Sequence, residues 1–310
     1  MKKVLFIILC TILLLSACGN KEVKDTVYEY QSIQTGNTRY YIDQKEPVSI
    51  LKTTGNETLI LFKGEALLGD ILLYNNKIYY CEALDSNLYV MDIDGNNNQK
   101  ILDCNSTEGF YGGDFKSWYI YNGDLYLHSS MQLYKIDLET YQWEIFNNDV
   151  AHYQIYNDNL YFINHAESTF TIYKQDLQTK ELEVVLGEDI TYPTNEVYSN
   201  FVIASDGTFY ITQRTPEARL ISYKDGNIEV IESYEDFFAN IKELSLSVVG
   251  NDLYYVKASD DTYKLYRYNS KTKQVEEIHK VDGYQRTAFI NENSFYYYNT
   301  LKDLILVEFD

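Results

Sequence analysis

The stretch NNKIYYCEALDSNLYVMDIDGNNNQKIL, residues 75–102, alternates tyrosines and aliphatics and is punctuated by Asn and Asp-Gly turn signals. Asn75-Asn76-Lys77 leads into the aromatic run IYYCEA. LYVMDID follows, then Asp94-Gly95-Asn96 and the short apolar run QKIL. Alternation with period two reads as half-buried strand, and Asp-Gly between two such runs reads as a hairpin.

The same grammar returns along the chain. Polar turns precede LYL at Asn122-Gly123-Asp124, LYF at Asn157-Asp158-Asn159 and TFY at Ser205-Asp206-Gly207. They recur before LYY at Gly250-Asn251-Asp252 and SFY at Asn291-Glu292-Asn293, with a weaker copy at Thr35-Gly36-Asn37. Spacings of about 35 to 48 residues signal a repeat architecture. Each unit supplies a short apolar strand (ILLY, WYIY, YQIY, FVIA, LSVV), an aromatic strand, an LY-containing strand and a short fourth strand.

Four antiparallel strands per repeat predict an all-β chain, a β-propeller of four-stranded antiparallel blades. Seven blades are expected, within a range of six to eight. The last unit, ending at LILVEFD, holds only three strands, and a segment within Val23 to Ile33 is expected to supply the fourth and close the ring. An open edge would otherwise invite aggregation. The 32 tyrosines fit this reading, because their flat rings fill gaps between blades while the hydroxyl finds a polar partner.

The phrase KIYYCEALDSNLYVMDIDGNNNQKIL, residues 77–102, resembles the repeat of the low-density-lipoprotein-receptor type (YWTD-like) β-propellers, and specifically their bacterial lipoprotein relatives. The likeness is clear over residues 71–102, partial in four other units and weak before residue 64. No Trp-Thr-Asp occurs, so partner-binding roles of the receptors are not carried over. The resemblance implies a propeller outside the cytoplasm and implies no chemistry.

The N-terminus carries its own signal. Met1-Lys2-Lys3 precedes an apolar run from Val4 to Leu15, followed by Ser16-Ala17-Cys18-Gly19. This is the pattern of an export signal, too short for a permanent membrane span. Leu15-Ser16-Ala17-Cys18 resembles the bacterial lipobox, in which the cysteine is acylated and becomes the new N-terminus. The expected organisation is therefore a lipoprotein signal peptide over 1–17, an acylated N-terminus and tether over 18–27, and the propeller over 28–310. Several acyl chains on Cys18 would hold the protein at the outer face of the bacterial cell membrane.

Loss of residues 1–17 leaves 24 basic against 46 acidic side chains, a net −22 compared with −20 for the whole chain. That charge repels nucleic acid and anionic headgroups, so nucleic acid is not an expected partner. Cys81 and Cys104 are expected as separate thiols, since an intervening strand would hold them about 9.6 Å apart, beyond disulfide reach.

Catalytic and cofactor motifs are absent: there is no G-x-S-x-G, G-x-G-x-x-G, phosphate loop, H-E-x-x-H or C-x-x-C. Asp92-Ile93-Asp94-Gly95-Asn96 fails as a calcium loop, because Gly95 at the sixth position puts Val90 first and Ile101 twelfth. His128, His152, His165 and His279 stand far apart. No metal, cofactor or catalytic residue is assigned.

Connections leaving the fourth strands are uneven: 103–117, 147–152, 187–199, 233–245 and 281–286. In an antiparallel blade they all leave one face, and binding residues concentrate on such loops. Tyr111, Asp114, Trp118, Tyr192, Asn195 and Tyr198 are the expected ligand-binding residues, for a glycan, peptide or protein partner. Ser233 is expected to cap a helix with Phe237, Ile241 and Leu244 on one face. The expected function is binding or scaffolding at the cell envelope. The alternatives are a glycan lyase or hydrolase with carboxylates at the central funnel, and a sensory accessory of a membrane complex.

Overall fold

A computed structural model describes residues 26–27, 32–64, 68–82, 87–103, 116–129, 131–164, 171–187, 200–213, 218–234, 245–259, 262–291 and 293–309. Its strands begin with the two-residue β1 (Thr26–Val27). Blade 1 is β2 (Ser32–Thr35), β3 (Thr38–Asp43), β4 (Ser49–Thr54) and β5 (Glu57–Lys63). Blade 2 is β6 (Leu68–Tyr74), β7 (Lys77–Glu82), β8 (Leu88–Asp92) and β9 (Gln99–Leu102). Blade 3 is β10 (Lys116–Tyr121), β11 (Asp124–Ser129), β12 (Gln132–Asp137) and β13 (Trp143–Asn147).

Blade 4 follows as β14 (Val150–Tyr156), β15 (Asn159–Asn164), β16 (Ile172–Asp176) and β17 (Leu182–Leu186). Blade 5 is β18 (Phe201–Ile203), β19 (Phe209–Gln213), β20 (Ala218–Lys224) and β21 (Asn227–Tyr234). Blade 6 is β22 (Ser245–Val249), β23 (Asp252–Ser259), β24 (Thr262–Asn269) and β25 (Gln274–Val281). A last sheet holds β26 (Tyr284–Ile290), β27 (Ser294–Asn299) and β28 (Leu304–Glu308).

All described pairings are antiparallel, and all join strands consecutive in sequence except that of β1 with β10. The turn residues explain why. Asn75 and Asn76 (φ 48° and 58°), Asn157 and Asp158 (46° and 62°), and Asp225 with Gly226 (49° and 81°) adopt the left-handed pairs of two-residue hairpins. Gly95 has a second reason to be glycine. At φ +86° a Cβ there would lie 2.9 Å from the Leu61 carbonyl oxygen of blade 1, so the Asp94-Gly95 turn packs directly on the neighbouring blade.

First strands of successive sheets touch one another from β2 through β26, and β26 touches β2, so the inner circuit is closed. Among the described residues the expectation of seven four-stranded blades is corrected to six, with the three-stranded last sheet completing the ring. The expected closing strand within Val23 to Ile33 is also corrected. Thr26 and Val27 pair with Ile120 and Tyr119 on the inner edge of β10, while Ser32 and Ile33 belong to blade 1.

Side chains make the closure instead. Tyr298 donates its hydroxyl to the Ile42 carbonyl at 2.5 Å, Arg39 lies 5.0 Å over the Tyr296 ring, and Lys45 pairs with Asp303.

Apolar clusters sit between blades rather than within them. Ile42 and Ile50 of blade 1 pack with Ile78 and Tyr80 of blade 2; Tyr79 and Leu88 of blade 2 pack with Trp118 and Leu127 of blade 3. The pattern continues to Tyr254 and Val256 of blade 6 against Phe295 and Tyr297 of the last sheet. Tyrosine hydroxyls cross the same seams: Tyr153 donates to the Tyr126 carbonyl (2.9 Å), Tyr223 to that of Val185 (2.8 Å) and Tyr210 to that of Asn251 (2.6 Å). A tyrosine thus brings both apolar area and a donor to these three interfaces. Burial is the main cause that pushes the Tyr79 phenol from 10.0 up to about 12, and it raises Tyr126 and Tyr210 further.

Candidate functional site

The three longest connections lie on one face of the ring. Links between first and second strands, and between third and fourth, run to two to six residues among the described blades. The links from a fourth strand to the next blade leave the other face. Three of these are long: residues 103–115, 187–200 and 235–244. The expected 147–152 and 281–286 connections shrink to Asn148-Asp149 and Asp282-Gly283, because β14 and β26 begin early.

Tyr111, Asp114, Tyr192, Asn195 and Tyr198 lie outside the described residues, as does Cys18. Trp118 is described, and it is not the exposed aromatic that was expected. It sits on β10 with 0% of its surface accessible, in the cluster between blades 2 and 3. The helix expected from Ser233 is corrected at its start: Ser233 and Tyr234 are the last residues of β21 and pair with Arg219 and Ala218. Asp236, Phe237, Ile241 and Leu244 lie outside the described residues. Cys81 is buried in β7, and Cys104 lies outside the described residues.

What the structure does describe is how the stems are held. Beside the first connection, Lys100 and Asp103 pair at 2.6 Å. At the second, the Asn200 amide donates to Thr212 Oγ1 (3.0 Å) and the Thr212 amide to the Asn200 carbonyl (2.9 Å). His152 Nε2 meets the Phe201 carbonyl at 2.9 Å with its ring edge-on to that phenyl, tying blade 4 to the start of blade 5.

The third stem carries a polar cluster that sequence reasoning missed. Glu232, two residues before the end of β21, accepts a hydrogen bond from Tyr234 and an ion pair from Lys257 of β23 at 3.1 Å. The Lys257 ammonium lies 4.6 Å over the Tyr266 ring and 5.4 Å over that of Tyr234. Burial first, and the Glu232 charge second, push the Tyr234 and Tyr255 phenols far above their ordinary value. A lysine caged by two rings and neutralised by a carboxylate is a joint between blades 5 and 6 rather than a nucleophile. Its members come from strands about 25 residues apart, joined only by the fold, so no spacing marked them.

On the opposite face an open hollow of about 400 Å³ is lined by Asn159, Lys174, Asp176, Glu181, Leu182 and Glu183 at the turn end of blade 4. Its charges serve the blade itself: Lys174 pairs with Glu183 at 2.6 Å, and Asp176 accepts the Gln178 and Thr179 amides. Among the described residues no group of His, Cys, Asp and Glu could hold a metal ion, and no helix is long and apolar enough to cross a membrane.

No family model matches the chain, and no curated protein matches it. Solved structures do. The chain resembles the extracellular domain of a putative one-component system from B. thetaiotaomicron, with TM-score 0.61 and 14% identity over 92% of this chain and 38% of that one. It resembles the N-terminal domain of Nup159 with TM-score 0.56 and 12% identity, over 90% of this chain and 86% of that one. An oligogalacturonate lyase from Vibrio parahaemolyticus follows at TM-score 0.51 and 13% identity, covering 91% and 87%. Identities this low speak for architecture and not for chemistry. With its inner circuit of strands closed, the chain is a β-propeller.

Proposed function

We propose that this protein is a bacterial lipoprotein, held at the outer face of the cell membrane by acylated Cys18, whose propeller presents a binding surface on the long-connection face. The observation that carries this reading is the asymmetry of the ring. Three connections of ten residues or more spring from one face of a rigid scaffold, while the links on the other are of two to six residues. Variable loops on a rigid frame are where recognition concentrates. Tyr111, Asp114, Tyr192, Asn195 and Tyr198 belong to two of those connections, two blades apart, and suit stacking and hydrogen bonding to a glycan, a peptide or a protein. Trp118 is left out of the surface because it is core.

The envelope glycan lyase or hydrolase is the weaker reading. Among the described residues of the innermost strands the only acid is Asp70 on β6, so a pair of carboxylates at the funnel would have to draw on the connections. The likeness to an oligogalacturonate lyase therefore stops at the fold. A sensory role beside a membrane complex is compatible with binding, and one similar structure is the extracellular domain of a putative one-component system.

The test has two arms. Cys18→Ala should leave the protein unprocessed or release it to the medium, seen by fractionation and mass spectrometry. Persistence of normally processed protein in the membrane would end the lipoprotein reading. On glycan and peptide arrays, Tyr111→Ala or Tyr192→Ala should weaken the wild-type signal several-fold, with stability changed by less than about 0.5 kcal/mol. An unchanged signal in both variants would remove the long-connection face as the binding surface.

A further inference from the structure

The last sheet has three described strands against four in each of the six blades, and what it exposes there is specific. The Phe309 amide donates to the Asn293 carbonyl at 2.8 Å, so the backbone groups of 309, 307 and 305 turn towards β27. Those of Leu304, Leu306 and Glu308 therefore point outward, because adjacent residues of a strand alternate. No described strand lies beyond them.

The walls of this gap are apolar where a fourth strand would rest. Leu306 pairs with Tyr296, which faces Arg39 of blade 1, and it is 45% accessible. On blade 1 the fourth strand, β5, carries Ile60, 55% accessible. Ile60 pairs with Leu51, on the face of blade 1 shared with Tyr41, whose ring Arg39 also covers.

The far end is acidic. Glu308 closes β28 on the blade 1 side and is exposed. On the blade 6 side, Glu276 pairs with Arg267, whose guanidinium lies over Tyr254 where that ring stacks on Phe309.

We propose that the β28 edge is a docking site for an extended peptide, added as a fourth antiparallel strand. Main-chain bonds to Leu304, Leu306 and Glu308 would give affinity, as in other strand-addition sites. Side chains on one face of the peptide would cover Leu306 and Ile60. An antiparallel strand enters beside Glu308 and Glu276, so its leading residues are Lys or Arg and the following ones alternate apolar and small polar. The net charge of −20 favours a basic partner over a second copy of this chain. The site is on the rim and does not depend on the long-connection face.

The probe is a synthetic peptide of two lysines followed by alternating valine and threonine, titrated onto the whole mature chain. Saturable binding of one peptide per chain is expected, with slowed amide exchange at Leu304, Leu306 and Glu308. Methylating the peptide amides on the edge facing β28 should weaken binding about tenfold or more, whereas methylating the other edge should not. Leu306→Asp, at an accessible position, should weaken it similarly while the circular dichroism stays unchanged. The proposal is overturned if wild type does not bind, or if neither methylation nor Leu306→Asp matters. It is equally overturned if binding appears only once residues 19–25 are deleted, since the chain's own N-terminal segment would then hold the site. Concentration-dependent dimers abolished by Leu306→Asp, without peptide binding, would assign the edge to a second copy.

Discussion

Trp118→Ala is expected to lower stability by about 3–5 kcal/mol, the range for truncating a large buried aromatic. The indole packs between Tyr79, Leu88 and Val90 of blade 2 and Leu125, Leu127 and Tyr134 of blade 3. Removing it leaves a cavity in a seam whose two walls are rigid sheets and collapse poorly. Trp118→Phe should lose less, because a ring still bridges the seam. Denaturant unfolding followed by circular dichroism measures both. A change below about 0.5 kcal/mol for the alanine variant would place the residue on the surface.

Deleting blade 3 as a unit, residues 116–149, should abolish cooperative unfolding altogether. Each blade buries both faces, so the deletion bares Tyr79 and Leu88 of blade 2 and Tyr153, Leu160 and Phe162 of blade 4. Those faces were shaped to a missing partner, and β1 loses the β10 edge on which it pairs. An open stack of repeats would shorten and still fold, since each unit there needs only its neighbours. A monomeric deletion protein with a sharp thermal transition would contradict ring closure.

Much of this architecture is legible in the chain because its determinants are local. Asn75-Asn76 and Asp225-Gly226 dictate left-handed turns, and turns fix which strands pair. The alternation in Lys77–Glu82 then decides which seam each residue enters, Ile78 and Tyr80 the one with blade 1 and Tyr79 the one with blade 3. Both faces are buried where a half-buried strand was expected.

Non-local features are where the sequence reading gave out. The partner of Thr26–Val27 lies more than 90 residues away, and a two-residue strand has no periodicity to detect. The last sheet resembles a blade in sequence up to its third strand, and whether a fourth comes from afar is a question of topology. Ser233 with an acid three residues on reads as a helix start. The strand pattern of Asn227–Tyr234 runs through it, and pairing with β20 outweighs a cap worth about 1 kcal/mol. Trp118 adjoins a long connection, yet its place on β10 puts it in a seam.

The site is less legible than the fold. The binding surface proposed for the aromatic and amide residues of 103–117 and 187–199 rests on composition alone, and composition does not distinguish a glycan from a peptide. The Glu232, Tyr234 and Lys257 joint shows the converse case, in which geometry assembles what no spacing announces.

Closure between the two ends of the chain is the central structural claim, and zero-length carbodiimide cross-linking tests it most directly. The reagent joins a lysine to a carboxylate only when the two are in contact. In the folded monomer it should link Lys45 to Asp303, across the seam between blade 1 and the last sheet, and Lys45→Arg should remove that link. The Lys174–Glu183 pair within blade 4 serves as the control for reactivity. Recovery of both links from monomer is the predicted result. Recovery of the blade 4 link without the Lys45–Asp303 link would mean that the ring is open.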